Sequence, residues 1–98
     1  MHLSLDSYPA PVGGVVSQLI NNEAVLVLPE QGTIKVLNEV GACIWQLADG
    51  SRTIREIAAL VHAEYDAQAE QIEHDTQAFI AELVQGNVLR IRSGTRQE

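Results

Sequence analysis

The sequence predicts an α+β domain in which a three-stranded antiparallel meander is followed by three helices. Three observations carry that expectation. Short β-rich runs, the third of them clearly alternating, fill the first part of the chain. Compact turn signals separate the runs, so neighbouring strands are expected to pair antiparallel. From Asn38 onward the apolar period lengthens from 2 to 3.6.

Val15 to Ile20 is the first β-rich run, and Asn21-Asn22 reads as a tight turn because Asn tolerates positive φ. Glu23 to Leu28 is the second run, and Pro29-Glu30-Gln31-Gly32 supplies the next turn. Thr33 to Leu37 is the third, with Ile34 and Val36 on one face and Thr33, Lys35 and Leu37 on the other. Asn38 is a good N-cap for a helix over Glu39 to Ala48, whose apolar face is Val40, Ile44, Leu47 and Ala48, with Trp45 at its edge. Asp49-Gly50 ends that helix, Gly50 being available for a left-handed cap. Thr53 with Glu56 forms a capping-box pattern opening a second helix, which buries Ile54, Ile57, Ala58 and Val61 and breaks at Tyr65-Asp66. A longer third helix, Ala69 to Gln85, turns Ile72, Thr76, Phe79, Ile80 and Leu83 inward and ends at Gly86. Val88 to Arg92 alternates apolar and basic residues, as a short terminal strand would.

Residues 1–13 carry Pro9 and Pro11 among small and polar residues and read as a flexible N-terminal segment. The folded domain is expected over 14–92, with a flexible tail over 93–98. The helices must pack on one face of the sheet to bury it, which makes the expected domain winged-helix-like.

A chain of 98 residues suits one domain, and its 46% hydrophobic content fills one modest core. The formal charge is −7 and unevenly placed. Glu56, Glu64, Asp66, Glu70, Glu73, Asp75 and Glu82 lie in a stretch with no Lys or Arg. Binding to nucleic acid depends on basic residues displacing counterions, so this balance argues against nucleic acid and anionic membrane. A single cysteine, Cys43, excludes an internal disulfide framework, and no zinc spacing is present. The first residues lack the basic-then-apolar order of a secretory signal, and the run Ala24 to Leu28 is too short to span a bilayer. A soluble, cytoplasmic setting is the expectation.

No residue pattern points to catalysis, a metal or a cofactor. His74 and Glu70 share a helix face at i, i+4 but lack a third ligand, so a surface pair is the simpler reading. Cys43 reads as a structural thiol within a helix, with no activating neighbour. Ser51 falls in an interhelical turn rather than a nucleophile elbow, and Gly13-Gly14 is too little for a phosphate loop. What remains is a surface. If Thr33 to Leu37 is the open edge of the meander, a peptide can add to it as a further strand. The long third helix beside that edge would complete a groove, offering Ile72, Phe79 or Leu83 to the peptide's side chains. Proline at Lys35 is the expected way to remove an edge donor.

The segment Leu28 to Leu89 resembles the PqqD family, also called RiPP recognition elements. The pieces that match are Leu37-Asn38-Glu39, Gly41-Ala42, Ile44-Trp45, Asp49-Gly50 with Arg52-Thr53, and Glu56-Ile57-Ala58. Ile72, Asp75, Phe79 and Leu83 then lead into Gly86 and Leu89. The resemblance implies three strands followed by three helices. It also implies binding of the leader of a ribosomally made precursor peptide along the third strand, Thr33, Ile34, Lys35, Val36 and Leu37. The opposing helix face would be Ile72, Asp75, Thr76, Phe79 and Leu83. The implied partner is a tailoring enzyme, which in the pyrroloquinoline quinone pathway is a radical S-adenosylmethionine protein holding its own cluster and cofactor. Quinone-pathway members often carry arginine after the Pro-Glu of the second turn; here Gln31-Gly32 follows, which leaves lasso-peptide and other modified-peptide pathways, and gene clusters with a kinase, open. Two other roles are compatible with the same elements. One is a structural module that homodimerises through the strand edge; the other is a winged-helix DNA-binding regulator, which the acidic third helix disfavours.

Overall fold

The computed structural model describes residues 3–92, arranged as β1 (Tyr8–Pro11), β2 (Val16–Ile20), β3 (Glu23–Leu28), β4 (Thr33–Leu37), α1 (Glu39–Leu47), α2 (Ile54–Glu64), α3 (Ala69–Gln85) and β5 (Leu89–Arg92). Two antiparallel sheets form. One is the meander in the order β2-β3-β4; the other is a two-stranded ribbon of β1 with β5. The fold is α+β with three helices. The tail over 93–98 lies outside the described residues.

The local chemistry explains each boundary. Asn21 and Asn22 both adopt positive φ, 53° and 69°, and close the β2-β3 hairpin. The Asn38 side chain accepts from the Gly41 amide at 2.9 Å and starts α1. Thr53 and Glu56 form a reciprocal capping box at α2. The left-handed residue after α3 is Asn87, φ 63°, rather than Gly86.

The core lies between the meander and the helices. Ala24, Leu26 and Leu28 of β3 point inward with Leu37 of β4 onto Ile44 and Trp45 of α1, Ile54, Ile57 and Val61 of α2, and Ile80 and Leu83 of α3. Trp45, expected at the edge of its helix face, is buried. Val40 departs the other way. Assigned by its spacing to the buried face, it is exposed, because it borders an open space between α1, α2 and α3.

Of the stretch read as flexible, residues 3–13 are instead part of the fold, and residues 1–2 lie outside the described residues. Tyr8–Pro11 pairs with Leu89–Arg92, Val12 N donates to Val88 O at 3.0 Å, and Leu3 is buried. Both prolines fit because they occupy alternate positions. Bonded pairs alternate along an antiparallel ladder, so Tyr8, Ala10 and Val12 face β5 while Pro9 and Pro11 face away, where no N–H is needed. The Pro9 carbonyl, turned outward, accepts from Gly50 N at 2.9 Å. The carbonyls of Leu5 and Ser7 accept from Arg55 N and Ile54 N, which satisfies two free donors at the start of α2.

Candidate functional site

β4 is an edge of the meander, and the register shows which of its backbone groups are free. The two-residue Asn21-Asn22 turn makes Ile20 and Glu23 a hydrogen-bonded pair. Bonded pairs then alternate, so Glu23, Val25 and Val27 bond to β2, while Ala24, Leu26 and Leu28 bond to β4. On β4 the groups of Thr33, Lys35 and Leu37 are therefore used by β3. Ile34 and Val36 turn their N–H and C=O to the open edge. Proline at Lys35 would break the ladder to Leu26 rather than the edge; the edge donors are Ile34 and Val36.

The third helix runs back along this strand. Gln31 Nε2, in the turn before β4, donates to Gly86 O at 3.1 Å and ties the start of β4 to the end of α3. At the other end Phe79 packs against the start of α1. A Cβ on Gly41 would lie 3.0 Å from Phe79 Cζ and 3.3 Å from Leu37 Cβ, so the absent side chain lets the ring in. Past Leu37 the space between α1, α2 and α3 opens into a cavity of about 360 Å³. Its walls include Val40, Ile44, Val61, Tyr65, Ala67, Ile72, Thr76 and Phe79, and Asp75 is its only charged lining residue.

Four of the residues expected on the helix side, Ile72, Asp75, Thr76 and Phe79, meet around this cavity. Leu83 is fully buried in the core and does not line it. None of Thr33 to Leu37 lines it either; the cavity begins at Asn38 and extends the strand's line. Ile34 and Val36 are 66% and 60% exposed on the sheet face away from the helices. Thr33 and Lys35 are exposed on the helix side, and Leu37 is buried. Val40, Tyr65 and Ala67 were not anticipated as cavity residues. The i, i+4 spacing of Val40 and Ile44 was the available signal, since it places both on one side of α1.

The cavity's polar groups are few and fixed. Gln71 Nε2 donates to Asp75 Oδ1 at 2.9 Å, and the Tyr65 hydroxyl donates to Glu39 Oε2 at 3.4 Å. Partial burial, reinforced by the Glu39 carboxylate, holds the Tyr65 phenol above its ordinary range. Burial, then Glu64 and Glu39, likewise pushes the Cys43 thiol up, so it stays protonated near neutral pH. Among the described residues no three His, Cys, Asp or Glu side chains gather as a metal site. No helix among them is long and apolar enough to cross a membrane.

A family model for coenzyme PQQ synthesis protein D (PqqD) matches residues 23–89, from β3 to the start of β5. The chain belongs to the PqqD family. A PqqA binding protein of Xanthomonas oryzae pv. oryzae is 35% identical over 91 residues, covering 91% of this chain and 97% of the relative. Among solved structures similar to this PqqD-family domain, TbiB1 in complex with the TbiA(beta) leader peptide has a TM-score of 0.76 at 30% identity. That alignment covers 90% of this chain and 99% of the other. The PqqD truncation of Methylobacterium extorquens PqqCD, a stand-alone RiPP recognition element, has a TM-score of 0.73 at 29% identity over 92% of this chain and 95% of the other.

Proposed function

We propose that this domain binds the leader region of a ribosomally synthesised precursor peptide by strand addition to β4 and presents it to a modifying enzyme. The observation that carries the reading is the open β4 edge, with Ile34 and Val36 unpaired, running into an apolar cavity. A strand of five residues gives a peptide of similar length a full backbone partner, and the cavity accepts one side chain beyond it. Thr33, Ile34, Lys35, Val36 and Leu37 supply the strand. Ile72, Asp75, Thr76 and Phe79 supply the pocket, and Leu83 acts by supporting α3 from the core. The relatives named PqqA binding proteins favour PqqA, or a peptide like it, as the precursor.

The domain acts as a binding module in the cytoplasm, without cofactor, and the chemistry belongs to the partner, for PqqA a radical S-adenosylmethionine enzyme. We read the packing of helices on one face of the meander as winged-helix-like. Glu70, Glu73, Asp75 and Glu82 on α3 set it apart from DNA-binding domains of that shape, because they repel phosphate. The domain is read as a monomer or a strand-edge homodimer, with its peptide-binding elements within 14–92 and residues 3–13 completing the fold.

An amide chemical-shift titration with the PqqA leader tests the reading. Shifts grouped on Thr33 to Leu37 and on the Ile72 to Phe79 face are expected. A folded domain whose spectrum does not respond, or responds only at β2, would refute it.

A further inference from the structure

The sheet face turned away from the helices is unusually apolar. Alternation places Val16 and Ile20 of β2, Val25 and Val27 of β3, and Ile34 and Val36 of β4 on that side, and Glu23 is its only charged residue. Val16 is 58% exposed and Ile20 48%, and no described element packs over them. The rows run straight across the sheet: Val16, Val27 and Ile34 in one, Gln18, Val25 and Val36 in the next.

Two features decide what covers this face. Its apolar area is on the order of 500 Å², the size of the largest patch a monomer exposes, which is often a functional one. It is nonetheless short of the roughly 800 Å² per partner that a stable interface buries. A net charge of −7 also opposes two copies meeting. The face by itself is therefore too small for a stable dimer. It is also continuous with β4, whose edge the peptide would extend. A strand added there is coplanar with the sheet, and every second peptide side chain projects onto the same outer face. Peptide binding would widen the patch by one strand, bringing it closer to interface size.

We propose that the outer face of β2-β3-β4, completed by the bound peptide, is the docking surface for the enzyme that modifies that peptide, through an apolar and largely uncharged patch on the enzyme. The inference rests on leader binding at β4. It assigns a second job to Ile34 and Val36: their backbone holds the peptide while their side chains meet the enzyme. The enzyme then engages the loaded domain in preference to the empty one, because only the loaded one presents the whole surface.

The test uses the full chain, the PqqA precursor, and the radical S-adenosylmethionine enzyme that acts on PqqA. The variant V16T/V27T replaces one row of the outer face with residues of similar shape and strand preference, and it leaves β4 untouched. Ile20→Thr, at the far end of β2, is a second and independent variant. Peptide affinity is measured by calorimetry, and enzyme affinity by interferometry with and without peptide. The expected result is unchanged peptide binding, together with a loss of about tenfold or more in enzyme affinity for the loaded domain. Unchanged enzyme affinity in both folded variants would overturn the inference while leaving leader binding intact. A wild-type domain that forms a dimer abolished by V16T/V27T would assign the face to a second copy instead. Failure of the wild-type domain to bind peptide at all would remove the parent reading, and this one with it.

Discussion

Replacing Val36 with proline isolates the backbone contribution of the β4 edge. The Val36 N–H points away from β3, so proline there removes no ladder bond from the free domain. Its side chain is largely exposed, so little packing is lost. In the complex the change removes one strand-to-strand hydrogen bond and leaves a peptide carbonyl facing the proline ring. The lost bond and the unsatisfied carbonyl together cost about 2 kcal/mol, and crowding by the ring adds to it. That is a loss of roughly thirtyfold in leader affinity. Val36→Ala is the matched control, since it trims the same side chain and keeps the N–H; its affinity should stay within about threefold of wild type. Lys35→Pro serves as the opposite control. It breaks the bond to Leu26, so it should destabilise the domain more than Val36→Pro does. Calorimetric titration with the PqqA leader, paired with thermal unfolding, reads all three. A folded Val36→Pro domain with wild-type affinity would show that the peptide does not pair with this edge.

Phe79→Ala should weaken leader binding by about tenfold while leaving the domain folded, because the ring is half-buried and lines the cavity; calorimetry with a melting curve separates the two effects. Ile80→Ala, one residue on, removes a fully buried side chain and should cost about 3 kcal/mol of stability in urea unfolding. Asp49 gives a pH-dependent case. Hydrogen bonds from Ser51 hold its carboxyl below the ordinary range, so its stabilisation is present above the unfolded value and lost as pH falls through the folded one. Asp49→Ala should therefore be less stable than wild type at neutral pH by a few tenths of a kcal/mol, about what an exposed group contributes, and the difference should vanish in acid.

Much of this fold was legible because its signals are local. Asn21-Asn22, Asn38, and Thr53 with Glu56 act within three residues of where they stand, and each ends or starts the element expected of it. β1 was not legible for the opposite reason. Its partner β5 lies at the other end of the chain, and Pro9 and Pro11 carry the local signature of a loop. Only the register shows that their missing donors fall on the unpaired side. The site divides in the same way. Ile72, Thr76 and Phe79 follow from helical spacing and Asp75 from the family resemblance, whereas Tyr65 joins them only because α1 and α2 converge there. The free donors of β4 needed both hairpins at once, since the Asn21-Asn22 turn sets the phase of β3, and β3 sets the phase of β4.

An open strand edge invites indiscriminate pairing, and the features around β4 limit that. The strand is only five residues long, so any added strand gains few bonds. Lys35 projects to the helix side, where a second copy's β4 would bring an identical charge against it. A net charge of −7 adds repulsion between copies at longer range. The like charges act against self-pairing, whereas on the proposed reading a peptide would add an apolar anchor in the cavity between α1 and α3 to its backbone pairing with Ile34 and Val36. On the proposed reading, selectivity on this surface would come from requiring both contacts. The edge alone binds any extended chain weakly, and the cavity alone holds one side chain. A segment that satisfies both at their fixed spacing gains each without paying twice for ordering.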